Sequence, residues 1–123
     1  MSEHHQISCV TTNLRFTRFR EHHVAPAFEE LREHGFHAST ENIQCCQTCS
    51  LAIIPDNVSY VVYNAQDVDD FEESNSMYLG FGFSNNQDRD VCLRILQKHM
   101  PRVEWNGSET RRIQVFGERR GVA

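Results

Sequence analysis

The sequence lacks the features expected of a membrane protein, a nucleic-acid-binding protein or a secreted protein. No apolar stretch approaches the roughly 20 residues that a membrane-spanning helix needs, and the polar residues 1–6 contain no apolar core of a signal peptide. The formal net charge is −5, whereas binding to a phosphate backbone requires a dominant basic face. We therefore expect a cytoplasmic protein with no membrane and no nucleic-acid partner.

The cysteines also lack the even number that a secreted disulfide framework would show. There are five of them, at positions 9, 45, 46, 49 and 92. In a reducing compartment such thiols stay free or bind a metal. This count supports the cytoplasmic setting.

Hydrophobic periodicity predicts two helices. The first covers residues 25–34, with Pro26 in its first turn and Gly35 at its stop. The second covers residues 88–99 and ends before Pro101. Residues 9–20 show no clear period, so the pattern does not decide between helix and strand there.

Residues 46–54 could form a short helix, and the remaining ordered segments are predicted as strands. β-Branched and aromatic residues, alternation and turn signals mark them, and Asn106-Gly107 predicts a hairpin turn between the last two. The predicted strands cover residues 36–43, 58–63, 76–83, 103–105 and 112–116. Five carboxylates between residues 67 and 73 predict a solvated acidic loop.

These elements predict a single α+β domain over residues 1–123, loose at 1–8 and 117–123. The expected architecture is a two-layer sandwich of about five mainly antiparallel strands, with the two main helices on one face. Residues 76–83, the second helix and residues 103–105 could form one right-handed crossover. An exposed sheet edge would make a homodimer plausible.

The most pointed chemical signal is the cluster Cys45, Cys46 and Cys49. Two residues between Cys46 and Cys49 allow both sulfurs to converge on one metal ion or on each other. With His37 as the nearest histidine, a zinc site of three cysteines and one histidine is conceivable. The alternatives are a redox pair, in which Cys46 would be the more reactive thiol, and small buried thiols that only pack.

A second group of polar residues follows the strongest predicted strand. Because the strand end at Tyr63 and the cysteine cluster flank the same strand layer, we expect them to approach each other. Gln66 and Asp67 would then share a pocket with the cysteines. This composite thiol or ligand site combines the two signals.

Several short motifs together resemble a bacterial domain family of unknown function. The family pattern is a CCQSCG-like cluster, a YVFYHxQD-like strand end and a VEWDGS-like hairpin. The matching segments here are Cys45-Cys46-Gln47-Thr48-Cys49, Tyr60-Val61-Val62-Tyr63 with Gln66-Asp67, and Val103-Glu104-Trp105-Asn106-Gly107-Ser108 with Arg112-Ile113. The resemblance covers about residues 24–116 and implies an α+β fold without supplying an activity.

Two departures from this pattern weaken any enzymatic interpretation. Ser50 stands where the family pattern has glycine, and Asn64 stands where it has histidine. Since no coherent catalytic set is present either, the sequence predicts a non-enzymatic domain that binds a protein or a small ligand. The alternative function is a metal-binding or redox thiol site built on the cysteine cluster.

Overall fold

A computed structural model of the chain describes residues 14–40, 43–44, 52–107 and 112–118. This part of the chain is a mixture of α and β structure. Its helices are α1 (Leu14–Phe19), α2 (Ala25–Glu33), α3 (Ala65–Ser74) and α4 (Asn86–His99). Its strands are β1 (Tyr60–Val62), β2 (Ser76–Gly82), β3 (Arg102–Glu104) and β4 (Ile113–Phe116).

A π-helical turn, Arg20–Val24, joins α1 directly to α2. The backbone N–H of Ala25 donates to the carbonyl of Arg20, which is the i to i+5 bond of a π-helix. Phe19 and Val24 are both buried although they lie five positions apart. This gap breaks the spacing of three or four that marks an α-helix, so the buried residues of α1 and α2 do not form one continuous helical pattern.

The helix predicted over residues 25–34 is confirmed as α2. Pro26 lies in its first turn, where its missing N–H costs no hydrogen bond. Phe28 and Leu31 are fully buried. Gly35 follows the helix with φ +91°, a left-handed conformation that glycine adopts without a steric penalty.

The predicted acidic loop is wrong, because Ala65–Ser74 forms helix α3. The side-chain oxygen of Asn64 accepts from the Asp67 backbone N–H at 3.1 Å, and the Asp67 carboxylate accepts from the Asn64 backbone N–H at 3.0 Å. This reciprocal capping box starts the helix. Val68 and Phe71 then enter the core, so the segment is amphipathic despite its charge.

The four strands form one antiparallel sheet in the order β1-β2-β4-β3. The predicted β3–β4 hairpin pairing is confirmed. β2 and β3 run in the same direction because both are antiparallel to β4, so α4 connects two parallel strands that β4 separates. A strand was predicted at residues 36–43. Its described residues form one isolated β-bridge, between His37 and Tyr60. The described sheet therefore has four strands where about five were predicted.

One face of the sheet contributes to the core, and the opposite face is more open. Met77 and Leu79 of β2 lie opposite Val115 and Ile113 of β4, and all four are buried. The helices pack their apolar side chains into the same core, with α2 against α4 and α1 against α3. On the opposite face Tyr78 is 43% exposed.

Gly82 in β2 accommodates a neighbouring ring. It pairs with Tyr60 of β1, and a Cβ atom at position 82 would overlap the Tyr60 ring. The absence of a side chain lets the tyrosine lie across the strand, a recognised way to cover a strand glycine. The glycine-containing strand predicted at 76–83 is thus confirmed, and one of its glycines has a packing role.

The capping box predicts a measurable contribution to stability. Replacing Asn64 by alanine removes the side-chain acceptor for the Asp67 N–H, so Asn64→Ala should lower the free energy of unfolding by about 1 kcal/mol. Chemical denaturation monitored by circular dichroism measures this change. Asn86→Ala is the matched control, because Asn86 is exposed in the first turn of α4. An equal loss in both variants would contradict the capping role.

Candidate functional site

The predicted site residues Gln66 and Asp67 both lie at the start of α3, but they differ in environment. The Asp67 side chain is only 4% exposed and pairs with the Arg112 guanidinium at 3.0 Å. Arg112 also donates to the carbonyl of Tyr78 at 3.2 Å. Gln66 faces solvent. Asp67 therefore joins α3 to the beginning of β4, while Gln66 is available for contact.

The cysteine cluster, Cys45, Cys46 and Cys49, lies outside the described residues, so the composite pocket stays a prediction. Gln44, the residue before the cluster, is described. Its carbonyl accepts a hydrogen bond from the backbone N–H of Ala65 at 2.9 Å. The chain therefore leads into the cluster from a point that is fixed to the first residue of α3.

The predicted zinc site likewise stays a prediction. His37, its proposed fourth ligand, is half-buried, and its backbone bonds to Ser59 at 2.9 Å and to Val61 at 3.0 Å. In the described ranges, no group of three or more His, Cys, Asp or Glu side chains is arranged to hold a metal ion. The three cysteine ligands of the proposed site fall outside those ranges.

Two buried titratable side chains serve the core. Burial raises the pKa of the Cys92 thiol to about 12, and the nearby Asp88 carboxylate adds to this shift. Burial also raises the pKa of Tyr63, whose hydroxyl has no hydrogen-bond partner in the described part of the chain. Its ring packs edge-on against Phe16, with 5.4 Å between centroids. Both groups therefore stay protonated at neutral pH, as packing residues do.

An open cleft of about 870 Å³ lies beside the π-helical turn. Arg15, Arg18 and His22 line one side of it. Phe19 and Phe71 contribute its apolar part, and their rings stack with 4.3 Å between centroids. The cleft therefore combines an apolar surface with several hydrogen-bond donors.

Glu72 fixes one wall of this cleft. Its carboxylate accepts from the Phe16 backbone N–H at 2.6 Å. Its own carbonyl accepts from the Arg15 guanidinium at 2.7 Å. These two bonds tie α1 to the last turns of α3. The wall is thereby held by groups that do not depend on a ligand.

His23 connects the π-helical turn to two other parts of the chain. Its Nδ1 donates to the His99 carbonyl at 2.8 Å, and its Nε2 lies 3.0 Å from the Glu118 carboxylate. A carbonyl can only accept, so Nδ1 carries a proton in this arrangement. Glu118 is held in turn, because its carbonyl accepts from the Asn75 side-chain amide at 3.0 Å.

The end of α4 that accepts the hydrogen bond from His23 is also held by hydrogen bonds to α2. Glu30 of α2 accepts from the His99 imidazole at 2.8 Å and from Lys98 at 3.1 Å. The hydrogen bond from His99, followed by that from Lys98, lowers the pKa of Glu30. The helices α2 and α4 are thus linked at the place where the His99 carbonyl holds His23.

The sequence pattern missed this cleft because its residues come from three distant segments. The arginines at positions 15 and 18 and the pair His22-His23 form no sequence motif that distinguishes them from a solvated surface. In the structure the His23 side chain is only 18% exposed. Gly117 and Glu118, predicted in a loose tail, bond to Asn75. The one local signal was that the buried residues Phe19 and Val24 lie five positions apart.

Comparison with known proteins supplies a family and no activity. A family model described as a domain of unknown function, DUF6891, matches residues 21–120. No curated protein and no solved structure matches the chain. A search of the described helices for a membrane span found none that is long and apolar enough.

The buried ion pair leads to a second prediction about stability. Asp67→Asn leaves the Arg112 charge without its partner, and breaking one side of a buried pair is costly. Arg112 retains some exposure to water, so we expect a loss of about 2 kcal/mol in the free energy of unfolding. Glu104→Gln, which removes the acid of the exposed Arg102–Glu104 pair, should cost less than about 1 kcal/mol. Equal losses would contradict this role of Asp67.

Proposed function

We propose that this chain, which belongs to the DUF6891 family of domains of unknown function, binds a small ligand in the cleft beside the π-helical turn. The cleft itself is the observation that supports this proposal. Its volume of about 870 Å³ falls in the range of about 300–1,000 Å³ that small-molecule sites occupy. An apolar surface with a few polar groups is also the usual lining of such sites.

The π-helical turn adds support from a separate direction. Single π turns inside α-helices are uncommon and are frequent at functional sites. Here the turn carries His22 and His23, and both line the cleft. The irregular backbone therefore coincides with the concavity, which is consistent with a role in binding.

The titratable groups favour a binding domain over an enzyme. Cys92 and Tyr63 remain protonated at neutral pH because they are buried, and Asp67 is engaged by Arg112 and by a helix N-terminus. As part of this proposal we retain three predictions from the sequence: a cytoplasmic location, a two-layer arrangement and the absence of a catalytic set. It leaves the oligomeric state open, with a homodimer as one possibility.

A titration followed by NMR tests the cleft proposal. We would add a panel of small aromatic acids, amides and amines to ¹⁵N-labelled protein, and we expect shift changes concentrated at the π-helical turn and at Asn75 and Gly117. His22→Trp should reduce them by filling the cleft. His34→Trp is the matched control, since His34 is exposed and lies outside the lining. Shifts that cluster elsewhere, or none at all, would overturn the proposal.

A second candidate function is a thiol site built on Cys45, Cys46 and Cys49. The bond between the Gln44 carbonyl and the Ala65 N–H favours it, because the chain leads into the cluster from the N-terminus of α3. The partial positive charge of a helix N-terminus, like a nearby arginine, favours thiolate over thiol. Such a thiolate could exchange with disulfides or bind zinc with His37.

Thiol labelling of the native protein distinguishes this candidate, and Cys92 serves as its internal control. With a pKa near 12, only about one Cys92 in ten thousand is a thiolate at pH 8, so Cys92 should react only after unfolding. We expect one fast-reacting cysteine that disappears in Cys46→Ser and persists in Cys92→Ser. Elemental analysis should find about one zinc per chain if the cluster binds metal instead. Slow thiols together with absence of zinc would rule out both forms of the thiol site.

A further inference from the structure

We infer that the ligand of the cleft carries a carboxylate or phosphate group. This inference rests on the proposed function, because it assigns a chemical class to the ligand of the same site. Polar groups that have a protein partner and polar groups that have none are distributed unevenly around the cleft. Such a distribution decides which charge a ligand can bring without leaving a lining group unpaired.

Both carboxylates of the lining already lie against polar groups of the protein. The Glu118 carboxylate lies 3.0 Å from His23 Nε2, and the Glu72 carboxylate accepts from the Phe16 backbone N–H at 2.6 Å. Neither carboxylate therefore requires a cation from a ligand. A positively charged ligand would have to compete with these existing contacts.

The basic groups of the lining have donors to spare. Arg18 is exposed, and it makes no hydrogen bond or ion pair with any residue that the structure describes. Arg15 uses its Nη1 on the Glu72 carbonyl. The other N–H groups of Arg15 and the His22 ring nitrogens have no hydrogen-bond partner within the same ranges. The guanidinium groups of Arg15 and Arg18 thus bring N–H donors without a partner in the described ranges to the cleft.

The spacing of these donors suits an anion. Arg15 and Arg18 lie three positions apart on α1, and His22 follows after four more, so that all three line the same cleft. A guanidinium presents parallel N–H groups that match the two oxygens of a carboxylate or phosphate. The rings of Phe19 and Phe71 stack beside these donors but are almost fully buried, so they offer a ligand little apolar surface. We therefore expect a small anion that is recognised mainly through its charged group.

Four aromatic probes of similar size separate charge from shape: benzoate, phenyl phosphate, benzamide and benzylamine. Binding is measured by NMR titration of the full-length protein. Benzoate or phenyl phosphate should bind at least tenfold more tightly than benzamide, and benzylamine should bind most weakly. The tighter of the two anions shows whether carboxylate or phosphate is preferred. Raising the salt concentration should weaken the two anions and leave benzamide nearly unchanged.

Two variants test whether Arg18 makes the anion contact. Arg18→Gln should weaken anion binding about tenfold, which corresponds to about 1.4 kcal/mol, and should leave benzamide binding unchanged. Arg94→Gln is the matched control, because Arg94 is exposed on α4 and lies outside the cleft. Equal weakening by both variants would indicate a general effect of net charge and would overturn the assignment of Arg18.

The outcomes separate this inference from the proposed function. If benzamide or benzylamine binds in the cleft as tightly as the anions, the anion inference is wrong while the cleft remains a binding site. If none of the four probes shifts the resonances of the cleft, both are wrong. Tight anion binding that Arg18→Gln leaves intact would also overturn the inference, because the free donors would not be the recognition groups.

Discussion

The Asp67 carboxylate is the point on which much of the arrangement depends. It accepts from the Asn64 backbone where β1 ends, starts helix α3, and pairs with Arg112 just before β4. One buried charge thus fixes the position of α3 relative to two strands of the sheet. The far end of the same helix supplies Phe71 and Glu72 to the cleft. Fixing the start of α3 therefore also sets the shape of a site roughly two helical turns away.

Much of the fold could be predicted from the sequence where one physical signal dominated. The apolar periods of α2 and α4 and the β-branched run of β1 were strong enough to identify these elements. Helix α3 was missed because its carboxylates concealed an apolar stripe of only two buried residues, Val68 and Phe71. The spacing of Asn64 and Asp67 was a capping signal that could have indicated this helix.

The motif resemblance has a partial physical explanation. Asp67 and Arg112, from two motifs far apart in the sequence, form one ion pair. Asn64, which stands where the pattern has histidine, caps α3, the helix that contains Asp67. These residues therefore have structural roles, and those roles account for part of the series of motifs that the chain shares with the family pattern. The cleft could not be predicted in this way, because its residues are brought together only by the packing of α1, α3 and the end of β4.

The π-helical turn also sets the rotation of α1 relative to α2. An α-helix turns by about 100° per residue, so deleting a single residue from Arg20–Val24 would rotate α1 by about that angle relative to α2. Phe16 and Phe19 would leave the core in the same step that moves Arg15 and Arg18 off the cleft. The length of this turn therefore matters more to the packing of the two helices than the identity of its exposed residues. A one-residue deletion here would alter the packing of the core and the lining of the cleft together.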